Sequence, residues 1–429
     1  MIEKPEHTLA GTQTLAAQQA SSPSSLDVIT GACLFFLLMY CTMTVFVKPE
    51  WALQSFQIAI FLLLAIYLLL NLRQPAGLGQ GSALANLVYL LPLWGVIQIL
   101  AHTTASTWET REAVLRWGAL AAVFYLTRRC ARTDAGRSAF LSAFAAFATA
   151  MAVLCLAQRF TSDGRVFWIF PSGYGVVFAT FPSPNSYSQF VELALPIVLW
   201  RAIKEGWRAW GYPLAGAILF GSAVAARSRA GIVICLAEML AVLALGWVRM
   251  RHPETGLRPR SMVAVLLAIP LLAIVFTLDV GWQPVWARLQ LNDPYAMRRE
   301  FFIAAAHMAI QRPGIGYGLG TFPEVYQQFA VKQFPVYANH AHNDWAEFAA
   351  EGGLPFLLLV LIPCAAAVPA SIRHPWGIGF IAILIHACVD FPFPRLAVSV
   401  WIFAMLALLL RPPNRAGHVL LSAKGVCLS

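Results

Sequence analysis

A polar segment at residues 335–353 holds a dense group of chemically active side chains. It reads Pro-Val-Tyr-Ala-Asn-His-Ala-His-Asn-Asp-Trp-Ala-Glu-Phe-Ala-Ala-Glu-Gly-Gly. An imidazole can accept a proton from a hydroxyl group near neutral pH, and this makes His342 and His340 candidate general bases. We therefore interpret the segment as catalytic, with these two histidines as its candidate catalytic residues.

The residues after His342 predict a helix. Asn343 is a suitable N-cap for a helix over residues 344–350, which the glycine pair that follows would close. Asn343, Glu347 and Glu351 would then share one helical face, and we expect Asn343 and Glu351 to contact the pyrophosphate or glycan. The imidazole of His342 would lie before the positive end of the helix dipole, which favours its neutral form. The alternative is that these are ordinary solvated loop residues.

Several arginines suggest an anionic substrate, because the planar guanidinium group donates two parallel hydrogen bonds to phosphate. Arg227 and Arg229 flank a tight turn between two apolar runs. Arg298, Arg299 and Arg312 lie in the long polar stretch before the histidines. We expect these residues to bind a pyrophosphate or glycan. Snorkelling to lipid phosphates is the alternative.

A second polar group follows the histidine segment. Asp390 and Arg395 surround a Phe-Pro-Phe-Pro sequence, and His386 lies one helical turn before Asp390. Asp390 and Arg395 could line the same substrate pocket, so we count both as candidates. A buried structural ion pair is the alternative interpretation.

The elements that position these residues must lie in a membrane. The sequence is 59% hydrophobic and 12% charged, whereas soluble proteins average about 25% charged residues. Apolar runs close to the ~20 residues that span a bilayer recur along the chain, and lipid forces such runs into helices. They are residues 28–47, 52–71, 83–102, 113–127, 139–158, 187–203, 210–226, 230–248, 261–279, 354–371, 376–390 and 396–411. The sequence predicts an all-α integral membrane protein, a polytopic bundle of about twelve transmembrane helices with a large, partly helical periplasmic loop.

Lysine and arginine placement predicts the orientation, because cytoplasmic loops carry an excess of these residues. The short loops after every second apolar run are basic, which puts the long loop outside. The net charge of +10 is thus a topology signal, and no nucleic-acid partner is expected. The predicted organisation is a disordered cytoplasmic tail (1–26), transmembrane helices one to nine (27–279), a periplasmic catalytic loop (280–353), transmembrane helices ten to twelve (354–411) and a cytoplasmic tail (412–429).

The two long outward loops differ in predicted structure. Residues 160–186 are rich in proline, glycine and aromatic residues, and no regular element suits them. In the catalytic loop, Asp293-Pro294 would start a helix that runs to about Gln311. Four alternating glycines at 314–320 would form a flexible crossing, and a second helix fits 323–334.

Common nucleotide, hydrolase and metal motifs are not found. The sequence has no Walker A pattern, no Gly-x-Ser-x-Gly elbow and no Asp-x-Asp in an outward loop. Its eight cysteines show no Cys-x-x-Cys or Cys/His zinc spacing. We expect no metal and no cofactor, so arginines would have to neutralise a leaving group.

The histidine segment resembles the O-antigen ligase/polymerase superfamily of bacterial envelope enzymes. The ligase pattern is His, then Asn, Ser or Gln, nine residues, then Gly, and it reads here as His342-Asn343, nine residues, Gly353. The preceding Arg-Pro-Gly-Ile-Gly-Tyr-Gly at 312–318, the Pro-Asn at 184–185, Ser228-Arg229 and the layout of spans resemble it too. The family also has an Arg-x-x-x-Leu pattern. It begins here at Arg229, and Val233 stands in place of the leucine.

The resemblance implies a membrane glycosyltransferase of lipopolysaccharide biosynthesis in the bacterial inner membrane, with its active site facing the periplasm. A glycan on undecaprenyl pyrophosphate would move to an acceptor hydroxyl of lipid A-core, without a metal. His342 would orient or deprotonate that hydroxyl. Arg229, a third candidate catalytic residue, would hold the pyrophosphate together with Arg298, Arg299 or Arg312 and stabilise its developing charge.

Three other functions remain open. An O-antigen or exopolysaccharide polymerase of the same superfamily would use a growing glycan as the acceptor, and a protein O-oligosaccharyltransferase would use a protein. A multipass transporter of lipid-linked glycans would instead predict polar sites near the bilayer midplane and matching halves. The predicted spans are mostly apolar, with Glu192 as an exception.

Overall fold

The computed structural model describes residues 24–47, 51–72, 83–172, 176–205, 211–251, 296–332 and 337–411. Within these ranges the helices are α1 (Ser25–Met43), α2 (Trp51–Leu70), α3 (Ala83–Leu100), α4 (Thr107–Cys130), α5 (Asp134–Thr161), α6 (Pro184–Glu205), α7 (Gly211–Ala226), α8 (Arg229–Met250), α9 (Ala296–Gln311), α10 (Phe322–Val325), α11 (Asp344–Arg373), α12 (Pro375–His386) and α13 (Leu396–Leu409). A hairpin of β1 (Arg165–Val166) and antiparallel β2 (Phe170–Pro171) follows α5. The protein is therefore an all-α bundle with a hairpin in its first long loop, where no regular element was predicted.

The helices coincide with the predicted apolar runs. The run at 261–279 and both predicted tails, apart from residues 24–26, lie outside the described residues, and each other run falls on a helix. Six helices of the described part are long and apolar enough to cross a membrane, namely α1, α2, α3, α5, α8 and α11. The chain is thus a multipass membrane protein, and the total of twelve spans remains a prediction.

Helix α13 forms the centre of the bundle, because its residues from Ala397 to Leu409 are buried on every side. A helix that is apolar all round packs inside the protein. Trp401 stacks on Phe144 of α5 with ring centroids 4.3 Å apart and makes an edge contact with Phe190 of α6. These aromatic contacts fix α5 and α6 around α13.

The described helices place the basic short loops at one end of the bundle. Arg411, after α13, contacts Asp134 at the start of α5 at 2.9 Å. Arg249, near the end of α8, donates to the carbonyl oxygen of Arg373 at 2.6 Å. The end of α6 lies at the same place, where Arg201 bonds to Ser138 Oγ at 2.7 Å. The histidine segment lies at the other end of these helices.

The predicted loop helices are partly confirmed. α9 ends at Gln311 as expected, and the residues proposed to start it, 293–295, lie outside the described part. The helix predicted over 323–334 is wrong, because only α10 and the 3-10 turn Tyr326–Gln328 form. The Glu300 carboxylate accepts the backbone N–H groups of Val331 and Lys332 at 2.5 and 2.8 Å, so these groups do not continue a helix.

The glycines at 314–320 pack tightly, so the expected flexible crossing is also wrong. Gly318 has a φ of +110°, and its N–H donates to the carbonyl oxygen of Glu351 at 2.8 Å. A Cβ atom at Gly318 would lie 2.1 Å from Thr104 Oγ1. The absence of a side chain therefore permits close approach to α11 and to the α3–α4 connection.

The break predicted at the glycine pair is present, but the helix does not end there. Gly353 has a φ of +70°, and the helical path of α11 resumes directly after it. Leu354 N–H donates to the carbonyl oxygen of Pro313 at 2.8 Å, which fixes the kink against the end of α9. The predicted catalytic helix and the following predicted span are therefore one kinked element.

Candidate functional site

His342 pairs with Asp390, which lies 48 residues further along the chain. Nδ1 of His342 is 2.9 Å from Oδ1 of Asp390. The Asp390 side chain is 5% exposed and that of His342 is 25% exposed, so the histidine faces the outside of the pair. His342 has a φ of +55°, a conformation that L-residues rarely adopt and that is common at functional sites.

Asp390 is held in its charged form. Burial raises its pKa, but the hydrogen bond from His342 and the nearby positive charge of Arg298 outweigh burial and lower the pKa below its usual value. Its second oxygen accepts a bond from Gln189 Nε2 at 3.3 Å. A charged carboxylate favours the tautomer in which His342 Nδ1 carries the proton, which leaves Nε2 free to accept one. This pair is the arrangement of a general base with an orienting acid.

Aromatic rings and one arginine surround the pair. The Phe391 ring meets the His342 ring edge-on with centroids 4.8 Å apart, and Phe301 of α9 lies parallel to it at 6.4 Å. Arg298, in the first turn of α9, donates to the carbonyl oxygen of Val389 at 3.2 Å. The site therefore joins the histidine segment, α9 and the α12–α13 connection.

His340 lies beside His342 and has its own carboxylate partner. Its Nδ1 is 2.8 Å from Oε1 of Glu347, and its ring is 4.5 Å from the Phe391 ring. The other Glu347 oxygen accepts the N–H of Ala341 at 2.6 Å. Glu347 thus fixes the backbone between the two histidines, a role that was not expected from the sequence.

Asn343 and Asp344 dock the start of α11 on the end of α12. The Asn343 side chain accepts from Ala346 N–H at 3.0 Å, as the predicted N-cap does, and also donates to the carbonyl oxygen of Cys388 at 2.8 Å. The Asp344 carboxylate accepts the N–H of Phe393 at 3.0 Å. These bonds position the segment against the loop that carries Asp390.

The predicted arginines divide into groups. Arg395 lies with its guanidinium carbon 4.6 Å from the centre of the Phe391 ring, so it joins Arg298 near the His342 site. Arg299 follows Arg298 on α9 and is exposed.

Arg312 lies fourteen residues after Arg298, about 21 Å along a helix. It donates to the carbonyl oxygen of Thr103 at 3.3 Å and faces a cavity of about 700 Å³. The structure therefore does not bring Arg312 to His342.

Arg227 and Arg229 border the start of α8, which α6 holds in place. Ser228 is the N-cap of α8, and its hydroxyl donates to Asn185 Oδ1 at 2.8 Å. Asn185 lies one helical turn before Gln189, the residue that contacts Asp390. The predicted Pro-Asn and Ser-Arg motifs therefore contact each other, at the end of α6 that faces Asp390.

Glu351 has partners that differ from the expected substrate contact. Its buried carboxylate accepts the N–H groups of Gly320 and Phe322 at 2.8 and 2.9 Å. Both bonds tie the glycine-rich segment to α11. In the structure, Glu351 therefore anchors the glycine-rich segment, and its carboxylate has hydrogen-bond partners without a bound glycan.

Replacement of Glu351 by glutamine should destabilise the protein by about 1–3 kcal/mol, because the amide nitrogen cannot accept one of the two backbone bonds. Unfolding followed by tryptophan fluorescence in detergent measures the effect. Glu324→Gln, at an exposed position of α10, is the matched control. If Glu351→Gln unfolds like the control, the carboxylate has no anchoring role.

A second carboxylate–histidine pair lies inside the bundle, behind Asp390. His386 Nδ1 is 2.8 and 3.0 Å from the two oxygens of Glu192, and both side chains are fully buried. The carbonyl oxygen of His386 accepts the N–H of Asp390 at 3.0 Å. The pair therefore ties the end of α12, and with it the Asp390 turn, to α6.

Replacement of Glu192 by alanine should destabilise the protein by about 3–5 kcal/mol, because His386 would stay buried without its charge partner. The unfolding temperature measures the loss. The double variant Glu192→Leu/His386→Leu should recover most of it, since an apolar pair can replace a buried ion pair. Equal unfolding temperatures for Glu192→Ala and the wild type would show that the pair contributes nothing to the stability of the fold.

Comparison with known families identifies this part of the chain. Residues 214–361 match the family model described as O-Antigen ligase. This stretch of the chain is therefore similar to the O-antigen ligase family. The superfamily expected from the histidine segment is thereby confirmed. No curated protein matches the chain.

The region that matches the O-antigen ligase family contains most of the site. It includes the start of α8, all of α9 and the segment with both histidines. Asp390, Arg395 and Gln189 lie outside it, and the fold brings them to His342. Among the described residues, no group of three His, Cys, Asp or Glu side chains could hold a metal ion.

Proposed function

We propose that the protein transfers a glycan from undecaprenyl pyrophosphate to the hydroxyl group of an acceptor. The observation that carries this proposal is the His342–Asp390 pair, with Arg298 bonded to the carbonyl oxygen of Val389 and Arg395 over the Phe391 ring. A base that is oriented by a carboxylate and bordered by arginines suits the attack of a hydroxyl on a sugar that leaves a diphosphate. The similarity to the O-antigen ligase family supports this class of reaction.

In the proposed reaction, the acceptor hydroxyl donates its proton to Nε2 of His342. The hydroxyl oxygen forms a bond to the anomeric carbon of the donor glycan, and the bond from that carbon to the pyrophosphate oxygen breaks. Undecaprenyl pyrophosphate is the leaving group, and its phosphate oxygen takes the electron pair of the broken bond. The negative charge of Asp390 stabilises the imidazolium ion, which then returns its proton to water.

The leaving pyrophosphate needs a positive site that exists before the reaction. We assign this role to Arg298 with Arg229 at the N-terminus of α8, because a helix N-terminus also attracts phosphate. Arg227, Arg299 and Arg395 extend the positive surface. Arg312 contacts Thr103 at a distance from His342, so we leave it out of this group.

The proposed orientation places His342 on the periplasmic face of the inner membrane. The basic ends of α5, α6, α8 and α13 gather at the opposite end of the bundle, as the positive-inside rule requires of the cytoplasmic side. A lipid-linked donor could then reach His342 from the outer leaflet. This agreement supports the proposed side.

We propose lipid A-core as the acceptor. Deletion of the gene, followed by analysis of the surface glycans, tests this choice. The expected result is uncapped lipid A-core with polymer accumulating on its carrier, restored by the wild-type gene but not by His342→Ala. Single repeat units on lipid A-core would instead show a polymerase, and an unchanged glycan profile would contradict both functions.

A further inference from the structure

A second cavity, of about 340 Å³, lies at the opposite end of the bundle from His342. It is bordered by α5, α6 and the α11–α12 connection. Lys204, which lines it, follows Gln189 by fifteen residues on α6, or about 22 Å along a helix. The proposed glycan transfer does not use this cavity.

The cavity is strongly positive. Its ionisable lining consists of Arg137, Arg201, Lys204, His374 and Asp134. Asp134 is already compensated, because Arg137 and Arg411 contact the same carboxylate oxygen at 3.1 and 2.9 Å. Burial lowers the pKa of His374, and the charges of Arg137, Arg373 and Arg249 lower it further. A ligand that enters this cavity therefore meets an excess of positive charge.

Arg201 and Arg137 are fixed in place, whereas Lys204 is exposed. The Arg201 side chain is 22% exposed and bonds to Ser138 Oγ at 2.7 Å, Ser142 Oγ at 3.0 Å and Glu205 Oε1 at 3.0 Å. Long side chains that extend freely into water lose entropy on binding, whereas those already held lose little. The cavity is thus organised before a ligand arrives.

The rest of the lining is aromatic and apolar. Trp376 stacks on the His374 ring at 5.5 Å, and Arg137 lies 5.9 Å from the Trp376 ring. Trp200 is the second tryptophan, and buried Leu141 and Ile197 supply apolar surface. Tryptophan is enriched where a membrane meets water, and basic pockets between helix ends bind acidic lipid head groups. An anion with attached apolar chains matches this combination better than a soluble anion does.

We propose that this cavity is a binding site for the phosphate group of an anionic membrane lipid. Arg137, Arg201 and Lys204 contact the phosphate, and the tryptophans contact the glycerol and the start of the acyl chains. In the proposed orientation the lipid belongs to the cytoplasmic leaflet, and it joins the ends of α5, α6 and α12.

Lipid binding to the full chain in nanodiscs tests the site. The discs contain phosphatidylcholine with or without a minor fraction of cardiolipin, and native mass spectrometry counts retained cardiolipin. The wild type should retain it, and Arg137→Gln/Lys204→Gln should bind it about 30-fold more weakly, since two charges are lost. Arg137→Lys/Lys204→Arg keeps both charges and should retain binding, which separates charge loss from misfolding.

Arg251→Gln is the matched control, because Arg251 is exposed after α8 and does not line the cavity. Equal cardiolipin retention by the Arg137→Gln/Lys204→Gln variant and by this control would overturn the proposal. Absence of any preference for cardiolipin in the wild type would also overturn it. Inorganic phosphate that displaces cardiolipin at low concentration would show a site for a soluble anion and reject the lipid.

Discussion

Replacement of His342 by alanine should lower the kcat of glycan transfer by about 10²–10⁴-fold, the usual contribution of a general base. Nε2 of His342 is the atom that we propose takes the acceptor proton, and alanine offers no substitute. The amount of protein in the membrane should stay the same, because His342 is partly exposed. Transfer of a purified lipid-linked glycan by the protein in nanodiscs measures the loss.

His307→Ala is the matched control for this variant. His307 is an exposed histidine of α9, on the element that carries Arg298. This variant should transfer glycan at the wild-type rate. His340→Ala should fall between the two, because His340 lies next to His342 but has Glu347 as its own partner. Full activity of His342→Ala would remove this histidine from the mechanism.

Replacement of Asp390 by asparagine should lower kcat by about 10²–10⁴-fold with little change in KM. An asparagine amide can donate to His342 Nδ1, which favours the tautomer that carries its proton on Nε2 and cannot act as a base. It also removes the negative charge that stabilises the imidazolium ion. Steady-state kinetics of the variant measure both parameters.

Asp390 should also stay charged in the wild type across neutral pH. The contacts with His342 and Arg298 hold the pKa of Asp390 below its usual value despite burial. A carboxyl group with a depressed pKa stays charged above its unfolded-state value and loses its stabilising charge only as the pH falls through the lower folded-state value. Asp390 should therefore keep its charge from about pH 6 to pH 8, and its own titration should add no step to the wild-type pH profile there.

Asp163→Asn is the control for this variant. Asp163 is exposed in the turn after α5 with a φ of +49°, which asparagine tolerates. It should behave as the wild type at each pH. A wild-type kcat for Asp390→Asn at neutral pH would contradict the role assigned to Asp390.

Local features of the site could be predicted because they depend on neighbouring residues. Asn343 caps the helix after His342, as its position before an acidic first turn indicates. Gly353 interrupts that helix because its φ is +70°. Apolar runs of membrane-spanning length predicted the positions of the long helices in the described part of the chain. Each of these inferences needs only a few consecutive residues and one physical rule.

Contacts between distant segments could not be predicted in the same way. Asp390 was identified as a possible pocket residue, but its bond to His342 depends on how α11 packs against α12. Spacing also did not indicate that Arg298 would reach the site while Arg312 would not, because this depends on the direction of α9. Glu351 and Glu347 were expected on a functional face, yet their carboxylates hold backbone N–H groups that the sequence does not locate.

The buried pair of Glu192 and His386 shows the limit most clearly. Glu192 was an isolated acid in an apolar run, a feature that also fits a transporter. The structure gives it a partner on α12, in a position that supports the Asp390 turn. An ionisable residue inside an apolar run therefore had a structural explanation that only the packing of α6 against α12 reveals.

Release of the lipid carrier tests the central claim most directly. The purified protein in nanodiscs is given a donor labelled in its undecaprenyl pyrophosphate, together with lipid A-core. We expect one undecaprenyl pyrophosphate to be released for each glycan that becomes attached to lipid A-core, and neither product to form with His342→Ala. Glycan that remains bound to its carrier with wild-type protein, under conditions where the donor binds, would contradict the proposed transfer and favour a transport function.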